Sequence, residues 1–288
     1  MNDLKPELCN SVLFTPANRP ERFEKSGTNK DAQMVVLDLE DAVALRYKDQ
    51  AREILIDYLQ KNDSIPADHP MITAVRINAI STLAGLKDIV CLVREKVVPD
   101  VVLLPKVQNL QEVELYSELL NQGREKNVHF IAVVETAVGL ENAHQIAAHP
   151  DVFALGFGGA DLAADLGMEL DFENTAVYRA RIVQAAKYAG KMAWDVPYLD
   201  FKDKEGLCKE TQQVKAMGFN AKIAIHPAQL EPINQTFFPS EEEVNEAKEI
   251  LITFKQANGS ACQYKGKMLD VPVVKKSQAI LEKVGCEY

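Results

Sequence analysis

Eight short runs of apolar, mostly β-branched residues alternate with longer segments along most of this chain, and this alternation limits how it can fold. Runs that are apolar almost throughout are typical of parallel strands covered on both faces. Two of the segments between them, 111–120 and 175–189, have amphipathic helical periodicity, and Gly190 follows the second as a predicted cap. The eight predicted strands are residues 11–15, 33–38, 72–77, 101–104, 130–134, 152–157, 192–195 and 221–225.

Eight strand–helix units close most naturally into a TIM (β/α)8 barrel, and an open doubly wound sheet is the alternative. The alternation stops after His226, so we predict a barrel domain at 1–239 and a C-terminal helical lid extension at 240–288. The extension is predicted to contain a helix over Glu241–Gln256, a glycine-containing turn and a last helix from Val274. It is too small for a core of its own and should fold against the barrel or a neighbouring subunit.

Charge and cysteine usage exclude several classes of protein. The formal net charge of −10 disfavours a nucleic-acid binder, although a local group of basic residues can still bind an anionic cofactor. The five cysteines are widely spaced without a C-x-x-C pair, which is typical of a reduced set. We see no signal peptide at the N-terminus and no apolar run long enough to cross a membrane, so the expected compartment is the cytoplasm.

Polar residues follow the predicted strands at the end where a barrel enzyme carries its active site. Any one of them alone could be a solvated loop residue, but a polar residue after every strand predicts a site. In strand order they are Arg19; Asp38, Glu40 and Asp41; Arg76 and Asn78; Lys106; Glu135; Asp161; Asp195; and His226.

Glu135 and Asp161 end adjacent strands and are the natural carboxylate pair for Mg²⁺, or for Mn²⁺ in its place. Gly158 and Gly159 would let the backbone approach the metal and its ligand closely. A 2-oxoacid would offer its carboxylate and carbonyl oxygens, and Arg76 could bind the carboxylate. The sequence therefore predicts metal-assisted chemistry on a 2-oxoacid, with Arg76, Glu135 and Gly159 at the substrate and Arg76 also as a catalytic residue.

The acidic group Asp38, Glu40 and Asp41 is predicted to bind metal waters or to orient Arg76. A lysine imine is the competing mechanism, with Lys106 or Lys222 as candidates. Lys222 also has an ordinary alternative, in which it faces outward from the barrel. The carboxylate pair makes an imine unnecessary.

The quoted motifs, taken together, resemble the citrate lyase β-subunit-like branch of the HpcH/HpaI aldolase superfamily over almost the whole chain. The resemblance implies a barrel, a magnesium ion on Glu135 and Asp161, substrate binding by Arg76, CoA-thioester substrates and a homotrimer or a multiple of one. The motifs are LFTPANRPERF at 13–23, VLDLEDAV at 36–43, VRIN at 75–78, LPK at 104–106, VETA at 134–137, FGGADL at 157–162 and IHPAQ at 225–229.

The tail GKMLDVP at 266–272 resembles a motif of the malyl-, citryl- and citramalyl-CoA lyases, where a C-terminal lid covers a neighbouring subunit's site. The resemblance implies that Asp270 is the catalytic acid/base. We further expect Met268 and Val271 to form an apolar collar around it and Gly266 to act as a hinge. The alternative is that Asp270 only caps the last helix.

The expected activity is cleavage of a 3-hydroxyacyl-CoA to acetyl-CoA and a 2-oxoacid, with citramalyl-CoA favoured because no second cation stands out near Arg76. Malyl-CoA lyase, the β subunit of citrate lyase and a non-catalytic carboxylate-binding barrel are the alternatives. The expected CoA contacts are Arg19, Lys25, Asp195 and His226.

Overall fold

Eight parallel strands form a closed barrel in sequence order in the computed structural model, which describes residues 9–27, 31–62 and 72–286. The first strand pairs with the second and also with the eighth, since Val12 lies opposite both Met34 and Ile223. The predicted barrel is confirmed, and the open sheet is wrong. The strands are β1 Ser11–Pro16, β2 Met34–Asp38, β3 Ile72–Arg76, β4 Val101–Leu104, β5 His129–Val134, β6 Val152–Phe157, β7 Met192–Asp195 and β8 Ala221–Ala224.

Helices follow the strands, and their bounds agree closely with the periodicity. The helix predicted at 111–120 begins one residue earlier, because the side chain of Asn109 caps it by accepting a hydrogen bond from Glu112 N. The helices are α1 Pro20–Gly27, α2 Lys48–Asn62, α3 Leu83–Arg94, α4 Leu110–Leu120, α5 Ala137–Glu141, α6 Ala143–Ala148, α7 Gly159–Leu166, α8 Phe172–Tyr188, α9 Lys204–Met217, α10 Leu230–Phe237, α11 Glu241–Gln256 and α12 Val271–Lys283. None of these described helices is long and apolar enough to cross a membrane.

The barrel interior is apolar along most of its length and becomes polar at the carboxyl ends of the strands. Met34 and Val36 belong to the interior core, and the period of two places Asp38 on the same face of β2. In β5 the same period of two places Glu135, just beyond the end of the strand, on the interior face that Ile131 occupies. The strand ends thus deliver charged side chains to one mouth of the barrel.

The chain divides into two compact units, Met1–Asn234 and Gln235–Tyr288. In the second unit, α11 has the predicted bounds, whereas α12 begins at Val271 instead of Val274, because Pro272 suits a first helical turn. An unpredicted hairpin, β9 Cys262–Tyr264 and β10 Lys267–Leu269, precedes α12. Gly266, expected as a hinge, lies in the two-residue turn of this hairpin with a φ of 77°.

Candidate active site

Arg76 at the end of β3 is held by two carboxylates from the neighbouring β2 and its loop. Its Nε and Nη2 donate to the two oxygens of Asp38, each at 2.7 Å, and its Nη1 lies 2.9 Å from Glu40 Oε2. Burial alone would lower the pKa of Arg76, but the charges of Asp38 and Glu40 raise it above its usual range. The guanidinium is therefore oriented as the sequence predicted, and its terminal nitrogens still have N–H groups for another acceptor.

Glu135 lies immediately after β5 and is buried. Its Oε1 accepts a 2.7 Å hydrogen bond from the main-chain N–H of Lys106. Burial, followed by the nearby Glu40 and Asp161 carboxylates, raises the pKa of Glu135 to about 8. A cation bound beside Glu135 would favour the ionised form of its carboxyl group and so lower this pKa.

The ammonium of Lys106 connects the acidic residues at this mouth of the barrel. Lys106 Nζ is 2.6 Å from Glu40 Oε1, 3.6 Å from Asp41 Oδ2 and 3.6 Å from Asp161 Oδ1. Burial lowers the pKa of Lys106, but its hydrogen bond to Glu40 and the surrounding charges raise it overall. An imine requires a neutral amine, so these surroundings oppose the imine alternative at Lys106.

Sequence reasoning listed Lys106 among the polar residues at this end of the barrel but gave it no role other than imine formation, and so missed its contacts with these carboxylates. The signal was available, because Lys106 lies two residues beyond the end of β4 and so belongs to the same barrel mouth as the predicted site.

Gly158, directly after β6, leaves space beside Glu135. A Cβ built on Gly158 would overlap Cβ and Oε2 of Glu135, so this position requires a glycine. Helix α7 then begins at Gly159 with no side-chain hydrogen bond at its N-cap, and Asp161 lies in its first turn. The first amides of α7 are thereby available to an anion near Asp161.

The chemistry of these donors fits a hard divalent cation. Within the described residues, no group of three or more His, Cys, Asp or Glu side chains could hold a metal ion. Mg²⁺ commonly takes one or two carboxylates and completes its octahedron with water and substrate oxygens. Glu135, with its raised pKa, and Asp161, whose charge contributes to that rise, meet that requirement.

Asp195 and Lys222 lie outside this group of residues, in a buried ion network behind β7 and β8. Asp195 accepts from Arg179 Nε of α8 at 2.8 Å and from Lys222 Nζ at 2.5 Å, and Lys222 also binds Glu210 of α9 at 2.7 Å. Asp195 and Lys222 are fully buried. Asp195 therefore has no surface for the CoA contact expected of it, and Lys222 is committed to carboxylates rather than to an imine.

The remaining expected CoA contacts flank the mouth. Arg19 is exposed in the loop after β1, and His226 is exposed after β8, where its ring stacks on Phe201 with centroids 4.9 Å apart. The sequence reasoning missed Phe201. The side chain of Lys25 lies outside the described residues.

Asp270 stands at the N-cap position of α12 in the second unit, but its side chain makes no capping hydrogen bond. Its neighbours Met268 and Val271 are 70% and 52% exposed. The capping role, which was the alternative for this aspartate, is absent from the structure.

Comparison with known proteins matches residues 10–227 to the family HpcH/HpaI aldolase/citrate lyase. The mitochondrial citramalyl-CoA lyase of Homo sapiens is 32% identical over 93% of this chain and 83% of its own length. The citrate lyase subunit beta of Haemophilus influenzae is 32% identical over 96% of this chain and 97% of its own length. A crystal structure of the protein CitE from Mycobacterium tuberculosis, in complex with magnesium, acetoacetate and coenzyme A, has a TM-score of 0.81 and 32% identity, covering 96% of this chain and 98% of that one.

Proposed function

The chain belongs to the HpcH/HpaI aldolase/citrate lyase family, and we propose that it is a magnesium-dependent lyase that cleaves a 3-hydroxyacyl-CoA into acetyl-CoA and a 2-oxoacid. The observation that carries the proposal is the convergence of Glu135, Asp161 and Arg76 at one mouth of the barrel. Lys106 contacts both carboxyl groups, and Glu135 lies close enough to Arg76 for its ionised form to raise the pKa of Arg76. The related CitE structure with magnesium, acetoacetate and coenzyme A supports the same ligand classes.

Glu135 and Asp161 would hold the cation, which when bound supplies Lewis-acid polarisation of the substrate's 3-oxygen. Arg76 binds the carboxylate of the 2-oxoacid half through the N–H groups that Asp38 and Glu40 leave unused. The first amides of α7, beginning at Gly159, add donors at the same end of the barrel. These groups orient the bond between C2 and C3 for cleavage.

Cleavage requires a base for the 3-hydroxyl proton. Asp270 takes this proton as the C2–C3 bond breaks, and the bonding electrons move into the thioester as an enolate. The proton then passes to C2, which completes acetyl-CoA and restores the carboxylate. We assign this role to Asp270 because Glu135 and Asp161 are committed to the cation and the Asp270 side chain caps no helix. In the proposed assembly, a homotrimer or a multiple of one, Asp270 serves the site of an adjacent subunit.

Citramalyl-CoA, in the (3S) form, is the substrate we favour, with pyruvate as the 2-oxoacid. Among the described residues, the cationic side chains that contact the acidic residues at the barrel mouth are Arg76 and Lys106. Both are already paired with acidic side chains. A second substrate carboxylate, as in citryl-CoA, would therefore lack a cation of its own. The named activity of the human relative agrees with this choice.

Arg19, Lys25 and His226 are the proposed contacts of the CoA phosphates and adenine, and Phe201 extends the aromatic surface beside His226. An anionic thioester gains a local positive field there on a protein of net charge −10. No disulfide joins the five cysteines, all of which lie in the described residues, and this agrees with the cytoplasm as the proposed compartment.

A product assay on citramalyl-, malyl- and citryl-CoA, with Mg²⁺ and with EDTA, tests the proposal. We expect acetyl-CoA and pyruvate from citramalyl-CoA, no turnover in EDTA, and loss of both turnover and metal binding in Glu135→Gln. Full activity in EDTA with a borohydride-trapped lysine would favour the imine mechanism. Turnover only on an acyl-carrier protein would indicate a citrate lyase β subunit, and no turnover on any thioester would indicate a non-catalytic barrel.

A further inference from the structure

Four carboxylates share the mouth of the barrel around the ammonium of Lys106, which is more than the proposed cation requires. Lys106 Nζ contacts Glu40, Asp41 and Asp161, and its main-chain N–H contacts Glu135. Mg²⁺ is usually bound through one or two carboxylates, and its other positions belong to water and substrate. A third carboxylate would take one of the water positions and would place another negative charge beside the incoming 2-oxoacid.

Glu40 is the carboxylate that the structure restrains most. Its Oε1 accepts from Lys106 Nζ at 2.6 Å, its Oε2 lies 2.9 Å from Arg76 Nη1, and its main-chain oxygen accepts from Lys48 Nζ at 2.9 Å. The side chain is also buried, so no solvent competes for these contacts. Oε1 of Glu40 is therefore hydrogen-bonded to Lys106, whereas its buried Oε2 forms an ion pair with Arg76 but accepts no hydrogen bond.

Lys106 is much closer to Glu40 than to Asp161. A separation of 2.6 Å is a charge-assisted hydrogen bond, whereas 3.6 Å is an ionic contact without one. The ammonium thus occupies an oxygen of Glu40 and leaves those of Asp161 open to a cation. At the same time the main-chain N–H of Lys106, on a residue with a left-handed φ of 53°, orients Glu135.

We infer that Lys106 is a positioning residue that keeps Glu40 off the divalent cation and so limits the number of waters displaced and the negative charge that a chelating 2-oxoacid meets there. This inference rests on the proposed function. Without the ammonium, Glu40 would have a free anionic oxygen facing the same space as the cation and would bind it directly. The cation would then be held more tightly but would be less open to substrate.

Binding of Mn²⁺ and pyruvate to the full chain tests this inference without any turnover. Water-proton relaxation reports the exchangeable waters on Mn²⁺, and titrations report both dissociation constants. We expect Lys106→Met to bind Mn²⁺ about tenfold more tightly, because one nearby positive charge is removed and one carboxylate is gained. The relaxation enhancement should fall, and pyruvate should bind about tenfold more weakly.

The double variant Lys106→Met/Glu40→Gln distinguishes two effects of losing Lys106: the release of Glu40 toward the cation and the loss of a positive charge near the site. Because the amide that Glu40→Gln introduces is a poor ligand for a hard cation, pyruvate affinity and relaxation enhancement should return toward the wild-type values. Lys87→Met is the matched control, since exposed Lys87 on α3 pairs with Asp49 at 3.2 Å. It should leave every constant unchanged.

If Lys106→Met does not fold, Lys106→Gly serves instead, because glycine accepts the left-handed backbone and retains the N–H that binds Glu135. Wild-type pyruvate affinity or weaker Mn²⁺ binding in the single variant at Lys106, or no recovery in the double variant, would overturn the role of Lys106 while leaving the proposed function intact. A wild-type protein that binds no Mn²⁺ would overturn the proposed function itself, and the inference with it.

Discussion

The main-chain N–H of Lys106 donates a 2.7 Å hydrogen bond to Oε1 of Glu135, while the side chain of the same lysine reaches Glu40. A single residue that follows β4 therefore connects a carboxylate that follows β5 with one that follows β2. Its left-handed backbone, with a φ of 53°, is an uncommon conformation for a non-glycine residue and occurs here at the proposed site.

Gly158→Ala should displace Glu135, because a Cβ at this position overlaps the Glu135 side chain. We expect Mn²⁺ affinity and turnover to fall at least tenfold while the protein remains folded. Gly156→Ala is the control within β6, since its Cβ would meet Val133 Cγ2 at an ordinary 3.4 Å. Equal metal affinities in the two variants would show that Glu135 does not hold the cation.

Cation binding should release a proton near neutral pH. The pKa of Glu135 is raised to about 8 by burial and by the Glu40 and Asp161 carboxylates, so the metal-free side chain is mostly protonated at neutrality. The cation needs the ionised form, and its affinity should fall as the pH drops below this pKa, by up to about tenfold per pH unit. Calorimetry in two buffers of different ionisation enthalpy measures the release, which should disappear about one pH unit above the pKa.

Asp270→Asn should lower the turnover number by roughly two to four powers of ten, the usual range for a general acid/base, with Mn²⁺ binding intact. Mixing it with inactive Glu135→Gln protein should restore part of the activity, because some shared sites would then contain both native residues. Absence of complementation after demonstrated subunit exchange would exclude a shared site. Full activity of Asp270→Asn would exclude the catalytic role.

Asp195→Ala should destabilise the protein rather than weaken CoA binding. It leaves the buried Arg179 and Lys222 without their shared carboxylate, so the free energy of unfolding should fall by about 3–5 kcal/mol in urea denaturation. Asp57→Ala, which breaks the exposed pair with Lys61, should cost under about 1 kcal/mol. A raised KM for the thioester at unchanged stability would instead support the CoA contact expected from the sequence.

Arg19→Ala should raise the KM for the CoA thioester about two- to fivefold, a small effect because exposed charges contribute little singly. Its affinity for Mn²⁺ should not change. Arg94→Ala is the control, since this exposed arginine ends α3 at the opposite end of the barrel. Steady-state kinetics at low ionic strength, where screening is weakest, would show the difference most clearly.

The sequence alone determined the eight strands, their order and the end of the barrel that carries the polar residues. These features are local, because the apolar runs, the helical periodicity and the residues at each strand end are read within a few positions. The pairing of Arg76 with Asp38 and Glu40 was also anticipated, since neighbouring parallel strands bring their last residues together.

The tertiary structure alone decided which strand-end side chains enter the site. Asp38 and Asp195 each end a strand, but their side chains lie on different faces. In β2, Asp38 shares the interior face with Met34 and Val36. In β7, Trp194 lies on the interior face, so Asp195 points outward to Arg179 and Lys222. A strand shows its alternation in the sequence, yet which of its faces points inward depends on pairing with distant strands when the barrel closes. For the same reason the role of Lys106 became visible only after β2, β4 and β5 were brought together, because its contacts lie 29 and 66 positions away along the chain.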